Sequence, residues 1–108
     1  MENKVESEEG REVSEPFEAG EICAGLSHAY RIKVMRVLLE LGGKAKLADL
    51  IKECSKEPPF FRQFTVAKAH VEKMAIAGIV DLRREEGQYV VDLKKEVRVF
   101  VKDIKARG

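Results

Sequence analysis

The chain has 108 residues, of which 44% are hydrophobic and 36% are charged. This balance is typical of one folded domain in aqueous solution. No apolar run approaches the roughly 20 residues that span a bilayer, and the N-terminus lacks the basic and apolar regions of a secretory signal. We therefore expect a cytoplasmic protein without a membrane partner.

The net charge of +1 conceals an uneven distribution. Residues 1–21 carry eight glutamates against Lys4 and Arg11, so the remainder of the chain carries a net charge of +7. A basic compact domain attracts polyanions. A surface rich in Lys and Glu is also common in thermophilic proteins, and the two explanations are compatible.

Residues 1–20 are acidic, poor in apolar side chains and interrupted by Gly10, Pro16 and Gly20. Such a segment buries too little surface to offset the entropy lost on ordering. We predict a disordered acidic tail over residues 1–20 and a folded domain over residues 21–108. The tail is interpreted as a solubilising segment, with competition for the basic surface as the alternative.

The domain opens with predicted helices. Ile22–Leu26 is compatible with a short helical turn, and Ser27 is suited to cap a helix that ends near Leu41, before Gly42 and Gly43. Two apolar stripes at helical spacing favour packing on two sides, with a partner subunit as one option. One stripe is Ile32, Met35 and Leu39. The other is Tyr30, Val34, either Val37 or Leu38, and Leu41.

Two further helices follow an extended link at residues 44–46. Apolar residues at the spacing i, i+3, i+4, i+7 predict the first of them: Leu47, Leu50, Ile51 and Cys54. Pro58 and Pro59 end it. The second is predicted over about residues 65–77, capped by Thr65 and ended by Gly78, and its inward-facing residues are Ala67, Val71 and Met74.

Two strand-like runs come next, within about residues 79–93, and Gly87 between them can adopt the positive φ of a hairpin turn. A final helix is predicted from about Lys95 to Lys105, with Val97, Phe100 or Val101, and Ile104 on one face. The element order is helix, helix, helix, two-stranded hairpin, helix. The predicted class is mainly α with a two-stranded β wing.

Three segments between Leu26 and Leu93 resemble ArsR-like winged helix-turn-helix regulators. They are "LSHAYRIKVMRVLLEL" with Arg31 before an aliphatic run, "LADLIKE", and "AHVEKMAIAGIV" with His70 and Gly78 at the end of a recognition helix. Each segment alone is weak evidence for this resemblance, but their order, followed directly by a wing, is specific to the winged-helix fold. The resemblance implies a homodimeric transcriptional regulator whose partner is double-stranded DNA.

The chain departs from the family in two places. The connection that contains "KEPPFFRQF" is long, and Phe60, Phe61 and Phe64 either fill the core beneath it or offer an apolar patch to a partner. Cys54 is the only cysteine on the first helix of the motif, where metal-sensing relatives carry a close pair. We therefore expect the non-metal-sensing branch, without metal or cofactor, and two reduced, buried thiols at Cys23 and Cys54.

The resemblance places the third helix in the major groove and the wing on the DNA backbone. Candidate DNA-binding residues are Arg62, Gln63, Thr65, Lys68 and Ala69 near the start of that helix, and Arg83 and Arg84 in the wing. Glu85 and Glu86 would oppose a wing contact and could pair with the arginines when DNA is absent. The candidate dimer interface is the apolar C-terminal stripe of Val97, Val101 and Ile104, which could instead cover the domain's own core.

An enzyme is not expected, because the chain shows no nucleophile with a nearby base, no paired carboxylates in an apolar setting and no glycine-rich phosphate loop. The rival interpretation is a winged helix that binds proteins in a nucleic-acid-processing assembly, since fold alone does not decide function. Glu72, Ile76 and the phenylalanine-rich loop favour that rival. The net positive charge of the chain from Ile22 onward favours a protein that binds DNA.

Overall fold

The computed structural model describes residues 10–58 and 63–105. Four helices and three strands follow one another in the order α1 Pro16–Gly25, α2 Ala29–Glu40, β1 Lys44–Lys46, α3 Leu47–Cys54, α4 Phe64–Ile76, β2 Val80–Glu85 and β3 Gln88–Leu93. No helix within the described ranges is long and apolar enough to cross a membrane.

The core is built from one face of each helix and one face of the sheet. It contains residues from both halves of the domain: Leu26, Tyr30, Val34, Met35, Val37, Leu38, Leu47, Leu50, Cys54, Ala67, Val71, Met74, Ile79, Val80 and Val91. The predicted inward faces of the second and third predicted helices are confirmed, since Leu47, Leu50 and Cys54 on α3 and the three predicted residues of α4 are all buried. Aliphatic spacing therefore identified these helices correctly.

α1 is longer than the short helical turn predicted at Ile22–Leu26. It begins at Pro16, whose fixed φ and missing N–H suit the first helical turn. The Glu15 carboxylate caps it by accepting hydrogen bonds from the N–H groups of Phe17 and Glu18. Residues 16–20, assigned above to the tail, are therefore helical. Residues 10–15 carry no helix or strand, and residues 1–9 lie outside the described residues.

The start of α2 also differs by one residue. His28 is the cap, and its Nδ1 accepts a hydrogen bond from the N–H of Tyr30. Ser27, predicted as the cap, donates instead to the carbonyl of Ala24 and closes the end of α1. A histidine nitrogen can therefore perform the capping role usually given to a hydroxyl or carboxylate.

The three strands form an antiparallel sheet in the order β1-β3-β2. The predicted hairpin is confirmed, and its turn places Glu86 at φ 52° and Gly87 at φ 81°. The link at residues 44–46 is a third strand, with Ala45 opposite Val91. A three-residue strand carries too little periodicity to be read from sequence, and only its partner β3 reveals it.

The predicted C-terminal helix is wrong. Residues 94–105 carry no helix or strand, and Val99, Phe100, Val101 and Ile104 are 75–87% exposed. Val97, Val99 and Val101 are β-branched and alternate along the chain, which favours an extended backbone over a helix. The helical stripe of Val97, Val101 and Ile104 competes with this period of two, and the structure forms neither a helix nor a strand here.

Candidate nucleic-acid interface

The first half of α4 presents an open surface. Gln63 is the residue before the helix and makes no side-chain capping bond, and Thr65 lies at the second helical position rather than at the cap. The side chains of Gln63, Thr65 and Ala69 are exposed, whereas Ala67 on the opposite face is fully buried. Three of the predicted contact residues therefore share one accessible surface. Arg62 lies outside the described residues.

A shallow groove of about 270 Å³ runs beside this surface. It is lined by Arg31 from α2 and by Thr65, Val66, Ala69, His70 and Lys73 from α4. The groove brings Arg31 and Lys73 beside the exposed first half of α4.

Arg31 fixes the position of α4 relative to the first two helices. Its Nε donates to Nδ1 of His70 at 3.0 Å, and its Nη1 donates to the carbonyl of Ala24 at 2.8 Å. The His70 ring also lies 4.5 Å from the His28 ring, measured between centroids. One side chain therefore connects the end of α1, the helix α2 and the helix α4.

Burial lowers the pKa of His70, and the neighbouring His28 and Arg31 lower it further. The unfolded chain consequently binds a proton more readily than the folded chain does. The stability contributed by neutral His70 is complete above the unfolded pKa of about 6.5 and is lost as the pH falls below it.

We expect His70→Gln to reduce the acid sensitivity of the domain, because glutamine does not titrate and its oxygen can still accept from Arg31. The urea midpoint should fall less steeply for the variant than for the original chain between about pH 7 and pH 5. Chemical unfolding monitored by circular dichroism at several pH values measures this. Parallel pH profiles for the two proteins would contradict the link to His70.

The two wing arginines project from opposite faces of the sheet. Arg84 lies directly opposite Tyr89 and shares the core face with Leu82 and Val91, the face that packs toward α4. Arg83 lies on the outer face with Asp81 and Asp92. Adjacent residues of a strand therefore meet different surroundings.

Tyr89 joins the hairpin of β2 and β3 to α4. The Nζ of Lys68 lies 4.6 Å from the centre of its ring, and the guanidinium carbon of Arg84 lies 4.9 Å from the same point. Both distances permit cation–π attraction. Lys68 also donates to Glu72 at 2.9 Å, and this hydrogen bond is the main reason that its pKa is raised. The predicted contacts Lys68 and Arg84 thus converge on one aromatic side chain.

Arg83 is engaged by carboxylates. It pairs with Asp92, with Glu85 at 2.7 Å and with Asp81 at 3.1 Å. These hydrogen bonds, that to Asp92 foremost, raise the pKa of Arg83. The sequence-based expectation that Glu85 pairs with a wing arginine matches this arrangement. Arg83 is thus less available to a phosphate than Arg84.

Sequence reasoning did not select Tyr89 or the groove-lining role of Arg31 and Lys73. Tyr89 lies in the second strand-like run, and an aromatic residue beside a basic hairpin is a signal for cation–π contact. Arg31 was noted for its place in the opening helix, but its contact with His70 joins residues 39 positions apart. Such distant contacts leave no periodic signature.

The cysteines do not share one environment. Cys54 is fully buried, and burial raises the pKa of its thiol to about 11. Cys23 is exposed on α1, so the expectation of two buried thiols is wrong for this residue. Among residues 10–58 and 63–105, no group of three or more His, Cys, Asp or Glu side chains is arranged to hold a metal ion.

Two solved structures resemble this fold. The homodimeric winged helix-turn-helix DNA-binding domain of Mb0332 from Mycobacterium bovis, described as a possible ArsR-family transcriptional regulator, has a TM-score of 0.58 at 15% identity. The alignment covers 79% of this chain and 74% of that chain. The transcriptional repressor BigR from Xylella fastidiosa has a TM-score of 0.56 at 19% identity, covering 88% of this chain and 82% of that chain.

No protein-family model matches the sequence, and no curated protein is significantly similar to it. At these identities the structural likeness concerns the fold. Both neighbours are described as transcriptional regulators, neither as an enzyme. The ArsR-like resemblance is therefore confirmed at the level of architecture, and this chain has the winged helix-turn-helix fold.

Proposed function

We propose that this protein is a sequence-specific transcriptional regulator that binds double-stranded DNA as a homodimer. α4 enters the major groove, and the hairpin of β2 and β3 contacts the DNA backbone. The observation that carries the proposal is the convergence of Lys68, Arg84 and Tyr89 beside the open face of α4. A cationic wing contact lies there next to the helix surface that would face the bases.

The side chains divide into two roles. Gln63 and Thr65 reach base edges, because Gln makes bidentate contacts to adenine and Thr bonds to either base type. Arg62 is assigned the same role from its residue type alone, because Arg makes bidentate contacts to guanine. Ala69 leaves room for the helix to approach the groove and can contact a thymine methyl. Lys68 and Arg84 contact phosphates, Lys68 after leaving its carboxylate partner Glu72, whereas Arg83 would have to leave three carboxylate partners.

Dimerisation would place two copies of α4 about 34 Å apart, one turn of DNA. The proposed interface is at Val97, Val101 and Ile104. Val97 is half-buried against the core, while Val101 and Ile104 are exposed. Apolar side chains exposed in this number indicate an interaction surface.

We expect affinity for a fluorescent random-sequence duplex to fall steeply with salt, because bound Lys and Arg side chains release counterions. Lys68→Gln and Arg84→Gln should each flatten the slope of log affinity against log salt by about 1. Arg83→Gln should change it less. Fluorescence anisotropy between about 50 and 200 mM salt measures these slopes.

Lys44→Gln is the matched control, since Lys44 is exposed on the outer face of the sheet, beside Asp92. Its slope should equal that of the original chain. Absence of binding at the lowest salt, or equal slopes for all variants, would contradict the proposal. Selection from a randomised duplex library then tests sequence specificity.

A protein-binding winged helix is the second candidate. Ile76 on α4 is 81% exposed and Phe64 is 43% exposed, which is a large apolar area for a helix that faces DNA. If no duplex binds, this surface of α4 is the place to seek a protein partner.

A further inference from the structure

Residues 94–105, here named the C-terminal arm, follow β3 and form neither helix nor strand. The N–H groups of Lys94 and Lys95 donate to the carbonyl of Ile79 at 2.8 and 3.1 Å, and the N–H of Val97 donates to the sulfur of Met35 at 3.3 Å. Past Val97, no backbone hydrogen bond attaches the described part of the arm to the domain. A segment with β-branched residues at every second position and unpaired backbone groups is a template for another strand.

We propose that the C-terminal arms of two copies pair as an antiparallel two-stranded ribbon centred on Val99. Antiparallel pairing about this residue places Val97 opposite Val101 of the partner subunit, and Val99 opposite its own counterpart. Directly opposed residues share a face of the ribbon. Six valines, three from each arm, thus form one continuous apolar face.

The charged residues of the arm fit this register. Lys95 lies opposite the partner's Asp103, and Glu96 lies opposite the partner's Lys102. A shift of one residue in one direction sets Lys95 against the partner's Lys102, and a shift in the other sets Glu96 against the partner's Asp103. Opposed like charges destabilise a sheet pair, whereas opposite charges stabilise it.

A second register also places oppositely charged residues opposite each other. Centred between Phe100 and Val101, it pairs Glu96 with the partner's Lys105 and Arg98 with the partner's Asp103. It opposes the odd-numbered residues of one arm to the even-numbered residues of the other, however, and so places the valines of the two arms on opposite faces of the ribbon. The register centred on Val99 both opposes unlike charges and keeps all six valines on one face, as strand pairing with one buried face requires.

The ribbon also has a place to pack. Val97 is half-buried against the hydrophobic core, so the valine face is continuous with the interior of the domain. A lone two-stranded ribbon is marginally stable in water, but each end of this one is anchored on a folded domain. The inference rests on the proposed homodimer and specifies how its interface is built.

Disulfide trapping tests the register. In a Cys23→Ser background, where Cys54 remains buried, Val99→Cys should form a covalent dimer under mild oxidation, since opposed Cα atoms lie roughly 4.5–5.5 Å apart. Val101→Cys alone should stay uncoupled, because its counterpart is displaced by four residues, roughly 13 Å along the ribbon. A mixture of Val97→Cys and Val101→Cys chains, with different tags, should yield the mixed covalent dimer.

A charge exchange supplies the second test. Glu96→Lys should weaken the dimer several-fold in sedimentation equilibrium because it opposes the partner's Lys102. Adding Lys102→Glu should restore dimerisation, because each altered residue then faces an opposite charge. The competing register predicts no rescue, as Glu96 there faces Lys105.

The outcomes separate this inference from the proposed function. A dimer in which Val99→Cys does not couple, or in which Val101→Cys couples to itself, would overturn the ribbon and leave homodimerisation standing. A chain that sediments as a monomer at all concentrations would overturn both the ribbon and the proposed homodimer. The salt dependence of duplex binding is measured independently of either result.

Discussion

Replacing Tyr30 with alanine should lower the free energy of unfolding by about 3–5 kcal/mol, the cost typical of removing a large buried aromatic ring. Tyr30 is 1% exposed and lies among the largest buried side chains of the core. Burial raises the pKa of its hydroxyl to about 12, in keeping with an enclosed site. This loss is a large part of the roughly 5–15 kcal/mol that stabilises a small domain.

Urea unfolding at one fixed protein concentration measures this loss, since association would otherwise change the apparent stability. Phe17→Ala is the matched control, because Phe17 is also aromatic but is 83% exposed on α1. That variant should remain within about 0.5 kcal/mol of the original chain. Equal effects of the two substitutions would contradict the packing of α2 described above.

Gly25→Ala should destabilise the domain by about 1–3 kcal/mol through overpacking. A Cβ at Gly25 would lie 2.5 Å from the Cβ of Ala77 and 2.8 Å from the Cδ1 of Ile79. Ile79 can rotate its terminal methyl, but Ala77 has no rotamer with which to withdraw. The end of α1 must therefore move away from the end of α4.

The same substitution at Gly20 provides the comparison. Gly20 lies inside α1, and a Cβ there would meet no heavy atom within 4 Å. Gly20→Ala should stabilise the domain by about 0.5–1 kcal/mol, because alanine loses less conformational entropy in a helix. Thermal unfolding of the pair gives opposite signs if α1 packs as described, and a stabilised Gly25→Ala protein would show that it does not.

Periodicity predicted α3, α4 and the hairpin with little error. The helix predicted over 65–77 spans Phe64–Ile76, and Gly87 lies at the hairpin turn with positive φ. These elements bury one face each, so their apolar residues recur at the spacing of the element itself. The C-terminal arm was assigned wrongly because its residues satisfy both a helical stripe and a strand alternation.

The sequence suggests candidate contact residues but not how they are arranged. Residue type and position selected Lys68, Arg83 and Arg84, but not which arginine shares a surface with α4. That distinction depends on the sheet register, which sets Arg84 opposite Tyr89 and Arg83 near Asp92. A shift of one residue would exchange their faces.

The amino-acid sequence by itself determined the order of the main elements, their buried faces and the basic character of the domain, because these properties are local or additive along the chain. Only the tertiary structure decided the third strand, the Arg31–His70 contact and the exposure of Cys23. Each depends on a residue distant in sequence or on the lack of a packing partner, and neither leaves a mark on local spacing.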